Sequence, residues 1–190
     1  MIIGLLGQAQ AGKDSVGDYL SKEYNFYRMS FARRLKQLCH DLFHLTDDQL
    51  DTMKGKTTVD SRYNMTPRRI LQKVGVGMRE IYDNVWVDAL LTFDLLEDNK
   101  LGVVNDLVIT DVRFLNEVKA IKKLSNGVII RLIREDFQAL KGKEAEHSSE
   151  TEQLTIPDEL IDITISAKTG ELQKLYDGID KFIGDHKWKT

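Results

Sequence analysis

The chain has a single cysteine, Cys39, in 190 residues. This excludes an internal disulfide and points to a reducing compartment; the thiol itself reads as a small buried hydrophobe. No apolar run approaches the roughly 20 residues a helix needs to span a bilayer. The first residues have no basic region ahead of their apolar stretch, so they do not read as a secretory signal, and a cytoplasmic protein with no membrane partner is expected. An excess of charge is missing too. The net charge of −3 argues against a protein whose main task is coating nucleic acid. Internal repeats and low-complexity segments are absent. What is left, 42% hydrophobic and 30% charged residues, is ordinary for a globular chain, and residues 1–190 are enough to bury a full core as one domain.

The most informative stretch comes first. Ile2 to Leu6 is a short apolar run without polar alternation, which predicts a buried strand. Gly7 to Lys13 then spells G-x-x-x-x-G-K, and Val16, Tyr19 and Leu20 continue at helical spacing. Strand, glycine loop and helix in that order predict a phosphate-binding loop. Gly7 and Gly12 permit turns that aim N–H groups of the loop, Ala11 among them, at an anion. The helix dipole adds to the attraction, and Lys13 supplies a mobile positive charge for the β- and γ-phosphates of a nucleotide. The residue after the lysine is Asp14 rather than a hydroxyl, and Ser15 is the expected Mg²⁺-side ligand. Asp14 could reach the metal, orient Lys13 or merely favour the helix dipole.

Further along, Asn25–Ser30 predicts a second strand and Phe31–Phe43 a helix with Leu35, Leu38 and Leu42 inward. Arg33, Arg34 and Lys36 stand early in that helix, where positive charge opposes the dipole. Either an anionic ligand or a solvated basic face would account for them. Thr46–Met53 predicts a short helix capped by Thr46, and Lys54–Asn64 an exposed loop. Thr66-Pro67 opens a helix with a cap and an N1 proline, burying Ile70, Leu71 and Val74 and leaving Arg68, Gln72 and Gly75 on adjoining faces. Trp86 reads as core from its type alone. Asp106–Asp111 is an apolar strand ending in an acid, followed by a helix to about Leu124. Asp111 stands where α/β sheets bind ligands; it could hold the Mg²⁺ shell, accept a proton or serve as an N-cap. Arg113 could meet a phosphate or Asp111, and Glu117 lies at i+4 from it. Gly127–Ile133 and Ile161–Ile165 are the last strands, Arg134 follows the first of these, and Leu172, Leu175, Ile179, Phe182 and Ile183 mark a closing helix. Strands alternating with helices predict a parallel sheet covered on both faces.

Lysine, one residue, then a hydroxyl is similar to the loop of nucleoside monophosphate kinases, and the intervening Asp14 resembles the phage-type deoxynucleoside monophosphate kinases. Four ordered blocks carry that resemblance: the loop, Thr66-Pro67-Arg68 through Leu71-Gln72, Gly75 and Trp86-Val87, then Asp111-x-Arg113-Phe114-x-Asn116-Glu117, then Arg131 to Glu150. Phe31-Ala32 and Leu35-Lys36 fit the family, whereas Arg33-Arg34 and Val76 depart from it. The resemblance implies a P-loop kinase-like three-layer α/β sandwich with five parallel strands, a helical substrate-binding insertion near residues 45–100 and a lid near residues 134–152. It implies Mg²⁺ with ATP as co-substrate and a deoxynucleoside monophosphate as acceptor, giving the diphosphate and ADP. Lys13, Asp111, Arg113 and Arg134 would be catalytic. Gly7, Ala11, Gly12, Lys13, Asp14, Ser15, Arg134 and Lys168 would bind ATP, with Ser15 and Asp14 on the metal. Lys36, Arg68, Arg69, Gln72, Gly75, Trp86, Asp111, Arg113 and Glu117 would bind the acceptor. His147 reads as a lid-surface histidine in preference to a general base. The resemblance also implies a phage source and is compatible with a homodimer.

Three other readings compete. A GTP-dependent switch has Ser166-Ala167-Lys168 in its favour but lacks the D-x-x-G glycine, any N-K-x-D and a hydroxyl directly after Lys13. A dephospho-coenzyme A kinase would usually have Ser or Thr directly after Gly-Lys. A regulatory ATP binder with a spent site is opposed by intact Lys13, Ser15 and Asp111.

Overall fold

The computed structural model describes residues 1–94, 106–136 and 152–187. In chain order the elements are β1 (Ile2–Leu6), α1 (Lys13–Tyr24), β2 (Tyr27–Met29), α2 (Ala32–Phe43), α3 (Asp47–Asp51), α4 (Met53–Thr57), α5 (Pro67–Ile81) and α6 (Val85–Asp88), then a π-helical turn at Ala89–Asp94. After these come β3 (Leu107–Val112), α7 (Leu115–Lys122), β4 (Gly127–Arg134), β5 (Ile163–Ala167) and α8 (Leu172–Lys187). The contacts divide the chain into two compact units, Met1–Ser30 with Lys100–Thr190, and Phe31–Asn99. The helical unit thus takes in α2 and starts earlier than the expected insertion at residue 45.

The first unit is a five-stranded sheet in the order β2-β3-β1-β4-β5, every neighbouring pair parallel. β1 is central, with Ile3 opposite Val108 on one side and Val128 on the other. The three inner strands are apolar on both faces because helices cover both. The connection leaving β1 leads towards the β2 edge and that leaving β4 towards the β5 edge. Their carboxyl ends therefore flank the crevice where such sheets take ligands.

Strand limits shift from the sequence expectation for local reasons. β2 is shorter because Asn25 is spent as a left-handed C-cap of α1 (φ 59°). β5 begins two residues later because Ile161 closes a 3₁₀ turn at Asp158–Leu160 and Asp162 accepts the N–H of Ile129 at 2.8 Å. α8 buries Leu175, Ile179, Phe182 and Ile183, but Leu172, in its first turn, is largely outward.

The second unit is entirely helical among its described residues, apart from a bridge between Asp60 and Met65. Cys39, Leu45, Leu50 and Ile70 form its core, and burial pushes the Cys39 thiol up to about 11. Leu42 is not inward as expected but 66% exposed. The row Leu35–Cys39–Phe43 faces inward instead, with the Phe43 ring edge-on to Tyr63 at 5.5 Å. Thr46 caps α3 in a reciprocal box with Gln49, and Thr66 caps α5 ahead of Pro67, both as predicted. Lys54–Asn64 is not all loop. Thr52 adopts an extended backbone and accepts the Gly55 N–H at 2.9 Å, so it ends one helix and starts α4.

Within the sheet unit, α1 and α8 are clamped by one carboxylate. Asp180 accepts the hydroxyls of Tyr19 and Tyr24, each at 2.8 Å, and Tyr19 stacks on Tyr176 with centroids 4.2 Å apart. The bond to Asp180 pushes the Tyr19 phenol up to about 12, and Tyr24 moves in the same direction for the same reason. Because the folded value of Tyr19 lies above the ordinary value near 10, its contribution to stability is complete below about pH 10 and is lost as pH rises through about 12, and that of Tyr24 is lost in the same direction. Absorbance titration at 295 nm is expected to show Tyr19 and Tyr24 ionising late, together with Tyr82, which its bond to Asp88 raises, and Asp180→Asn should return Tyr19 and Tyr24 alone towards 10; unchanged late ionisation of those two in that variant would contradict the clamp.

Candidate functional site

The loop between β1 and α1 follows from three residues with unusual backbone. Gly7 (φ 155°) and Gly12 (φ 90°) hold conformations that side chains rarely adopt, and Gln10 is left-handed at φ 63°. A Cβ at Gly7 would stand 2.4 Å from the Leu132 carbonyl oxygen, so the loop lies directly on β4. Gly12 is the N-cap of α1 and provides no side-chain acceptor. The first N–H groups of the helix are therefore not capped by a side chain, and the positive end of the dipole opens into the loop. Lys13 is only 8% exposed and curls back so that Nζ donates to the carbonyls of Gly7 at 2.5 Å and Gln8 at 2.8 Å. An ammonium and a set of oriented peptide dipoles thus meet at the glycine loop, the combination that attracts an anion.

Asp14 points elsewhere. Its exposed carboxylate pairs with Arg28 of β2, which also binds Asp18 one turn further along α1. Ser15 is half-buried on the same first turn. Its hydroxyl is a hard oxygen ligand of the kind Mg²⁺ takes together with nucleotide phosphates, and no group of three or more His, Cys, Asp or Glu among the described residues could hold a metal alone.

The carboxyl end of β3 adjoins the loop, since Val112 is opposite Leu6. Asp111 is half-buried in the strand itself, so it is not the helix cap its spacing allowed. That task falls to Glu117, 2% exposed, whose Oε2 accepts the N–H groups of Arg113 at 2.8 Å and Phe114 at 3.1 Å. Glu152 accepts the N–H of Leu115 at 3.1 Å. Across β1, Arg134 ends β4 and reaches both Gln10 of the loop, at 3.2 Å, and Thr169 in the turn after β5, at 2.9 Å. Lys168, beside Thr169, is exposed, with its N–H bound by Glu171 at 3.0 Å. At the carboxyl end of the sheet Arg134 thus joins the glycine loop to the turn at Thr169, whereas Asp14 turns away to Arg28. Gln10, Arg28, Asp136 and Thr169 take part in these pairings without any signal in their spacing.

In the helical unit, Lys36 pairs with Asp51 at 2.7 Å. Arg33 and Arg34 share Asp94, a 2% exposed carboxylate bonded to Arg34 Nε and 3.8 Å from Arg33. A buried internal acid, rather than open solvent, accounts for that basic pair. Arg68 donates to the Met53 sulfur at 3.5 Å, Arg69 is exposed and Gln72 half-buried. Gly75 is buried against Leu35, and its carbonyl accepts the Trp86 indole N–H at 3.1 Å, so Trp86 is packed in this unit's interior. His147 and all but the ends of the expected lid lie outside the described residues.

Comparison with known proteins gives a consistent picture. No family model matches the chain. It is 37% identical over 147 residues to a protein of Acanthamoeba polyphaga mimivirus named "Putative deoxynucleotide monophosphate kinase", covering 70% of this chain and 74% of that one. Among solved structures, the dephospho-CoA kinase from Campylobacter jejuni aligns over 100% of this chain and 98% of its own with a TM-score of 0.55 at 12% identity. That likeness shows the fold, a P-loop kinase sandwich, as the sequence implied. The shikimate kinase from Aquifex aeolicus aligns over 97% and 98% with a TM-score of 0.47 at 15% identity.

The geometry separates structural from ligand-facing work for Glu117. Glu117→Ala leaves two N–H groups without their acceptor and is expected to cost about 1–3 kcal/mol in urea denaturation, with Glu117→Gln costing less. Unchanged stability for Glu117→Ala would refute the capping role.

Proposed function

Because the chain belongs to the deoxynucleotide monophosphate kinase family, we propose that it transfers the γ-phosphoryl group of ATP to a deoxynucleoside monophosphate, giving the diphosphate and ADP. The observation that carries the kinase chemistry is the glycine loop, with its uncapped helix start and the Lys13 ammonium held across Gly7 and Gln8. The choice of acceptor is supported by the 37% identical relative.

Phosphoryl transfer asks for positioning and charge stabilisation more than covalent chemistry. In this reading the loop N–H groups bind the β- and γ-phosphates, and Lys13 leaves its two carbonyls to follow the charge that develops between donor and acceptor. Mg²⁺, which would supply charge neutralisation to the phosphates in this chemistry, would be held by Ser15, while Asp14 is retained by Arg28. Arg134 neutralises the donor phosphates. Asp111 orients the acceptor, and Arg113, Arg68 and Arg69 hold the acceptor phosphate, with Gln72 on its base. Lys36, tied to Asp51, and the buried Gly75–Trp86 pair contribute by supporting that segment.

A coupled ADP-release assay with Mg-ATP and each of dAMP, dGMP, dCMP and dTMP, their ribonucleotide counterparts and dephospho-coenzyme A tests the assignment. Turnover with at least one deoxynucleotide is expected, and turnover with dephospho-coenzyme A alone would overturn it. Lys13→Ala should lower kcat by about 10²–10³-fold. Arg68→Ala should raise the acceptor KM by about 10–100-fold while leaving that for ATP unchanged; unaltered acceptor kinetics would remove Arg68 from the site.

A further inference from the structure

One guanidinium joins the end of β4 to both the glycine loop and the turn after β5. Arg134 Nε donates to Thr169 Oγ1 at 2.9 Å, NH2 donates to the same oxygen, and NH1 donates to Gln10 Oε1 at 3.2 Å. A threonine hydroxyl has two accepting lone pairs, so one edge of the guanidinium occupies its whole accepting capacity. Its partner on the other side is Asp136. This carboxylate accepts the Thr169 N–H at 3.0 Å and lies 3.4 Å from Arg134 Nε. Hydrogen bonds from the Thr169 hydroxyl and N–H, with the nearby Arg134 charge, hold the Asp136 carboxyl below its usual range.

The contrast with neighbouring arginines is chemical. Arg28 is bound by the carboxylates of Asp14 and Asp18, and Arg131 by Asp158. A carboxylate partner neutralises a guanidinium and competes with any incoming anion, whereas a hydroxyl or an amide oxygen orients it and leaves its charge in place. Arg134 makes its hydrogen bonds to the second kind; Asp136, an ion-pair partner at 3.4 Å that also accepts the Thr169 N–H, offsets part of its charge. An arginine fixed before its ligand arrives loses less side-chain freedom on binding.

We propose that Thr169 is a positioning residue for the phosphoryl donor: its hydroxyl fixes Arg134 at the glycine loop without neutralising it. This rests on the reading that Arg134 meets the donor phosphates. The role would couple the turn after β5 to phosphate binding, since displacement of Thr169 would move the guanidinium with it.

The test measures kcat and KM for Mg-ATP, at saturating acceptor, in the wild type, Thr169→Val, Thr169→Ser, Arg134→Ala and the Arg134→Ala/Thr169→Val double variant. Thermal midpoints and the affinity for a non-hydrolysable ATP analogue by calorimetry accompany each. Thr169→Val is expected to lower kcat/KM for ATP by about tenfold, the effect of one hydrogen bond to a charged group, with the thermal midpoint and acceptor KM unchanged. Thr169→Ser should restore it. On the Arg134→Ala background Thr169→Val should add nothing, because the hydroxyl acts through the guanidinium. Equal losses in both backgrounds, or a loss in Thr169→Ser as large as in Thr169→Val, would overturn the proposal. Wild-type kinetics for Thr169→Val beside an impaired Arg134→Ala would overturn the positioning role alone; wild-type ATP kinetics and affinity for Arg134→Ala would overturn the reading beneath it.

Discussion

A helix cannot satisfy its own first N–H groups, and those of α1 receive no side-chain cap, a constraint on which the rest of the sheet unit bears. An ordinary N-cap such as Ser or Asp would have filled the site from within. Gly12 stands there instead, left-handed and without an acceptor. The loop can be this tight because Gly7 lies against the β4 backbone, which in turn needs β1 and β4 to be paired neighbours at the sheet's centre. A buried central strand thus runs directly into a polar loop. Lys13 closes the arrangement by holding its charge on two loop carbonyls.

The disposition of charge around that concavity shows how one fold sorts its arginines. Arg28, Arg34 and Arg131 are taken up by carboxylates and tie elements together. Arg134 is hydrogen-bonded by neutral oxygens, with the Asp136 carboxylate beside it at 3.4 Å. Acids are sorted likewise: Asp180 and Glu117 are committed to phenols and backbone N–H groups, and Asp94 is committed to two arginines of α2. A formal net charge of −3 conceals this division, because the sum of charges does not record which of them face a ligand.

The helical unit shows a different balance between local rules and packing. Caps were legible because they are local: Thr46 with Gln49 and Thr66 with Pro67 act within one turn. The inward stripe of α2 was not. Leu35, Leu38 and Leu42 and the row Leu35, Cys39 and Phe43 both satisfy helical spacing, and the choice fell to Tyr63 and to α5, which pack on Phe43 and Cys39. Thr52 is the intermediate case. It is a capping residue by type, yet it interrupts a stretch that reads as one short helix, and only its extended backbone reveals two.

By itself the sequence determined the α/β class, the five parallel strands and the loop. Each of these rests on contiguous patterns: apolar runs in doubly covered strands, glycines at fixed offsets and a lysine at the helix start. It also raised an expectation of which side chains carry phosphate chemistry, through their types and order. Tertiary structure alone decided how those groups are held. Asp14 turns to Arg28 across 14 positions, Arg34 to Asp94 across 60 and Arg134 to Gln10 across 124. Hydrogen bonds and ion pairs depend on distance in space, and pairings so far apart in the chain leave no periodicity for the sequence to display.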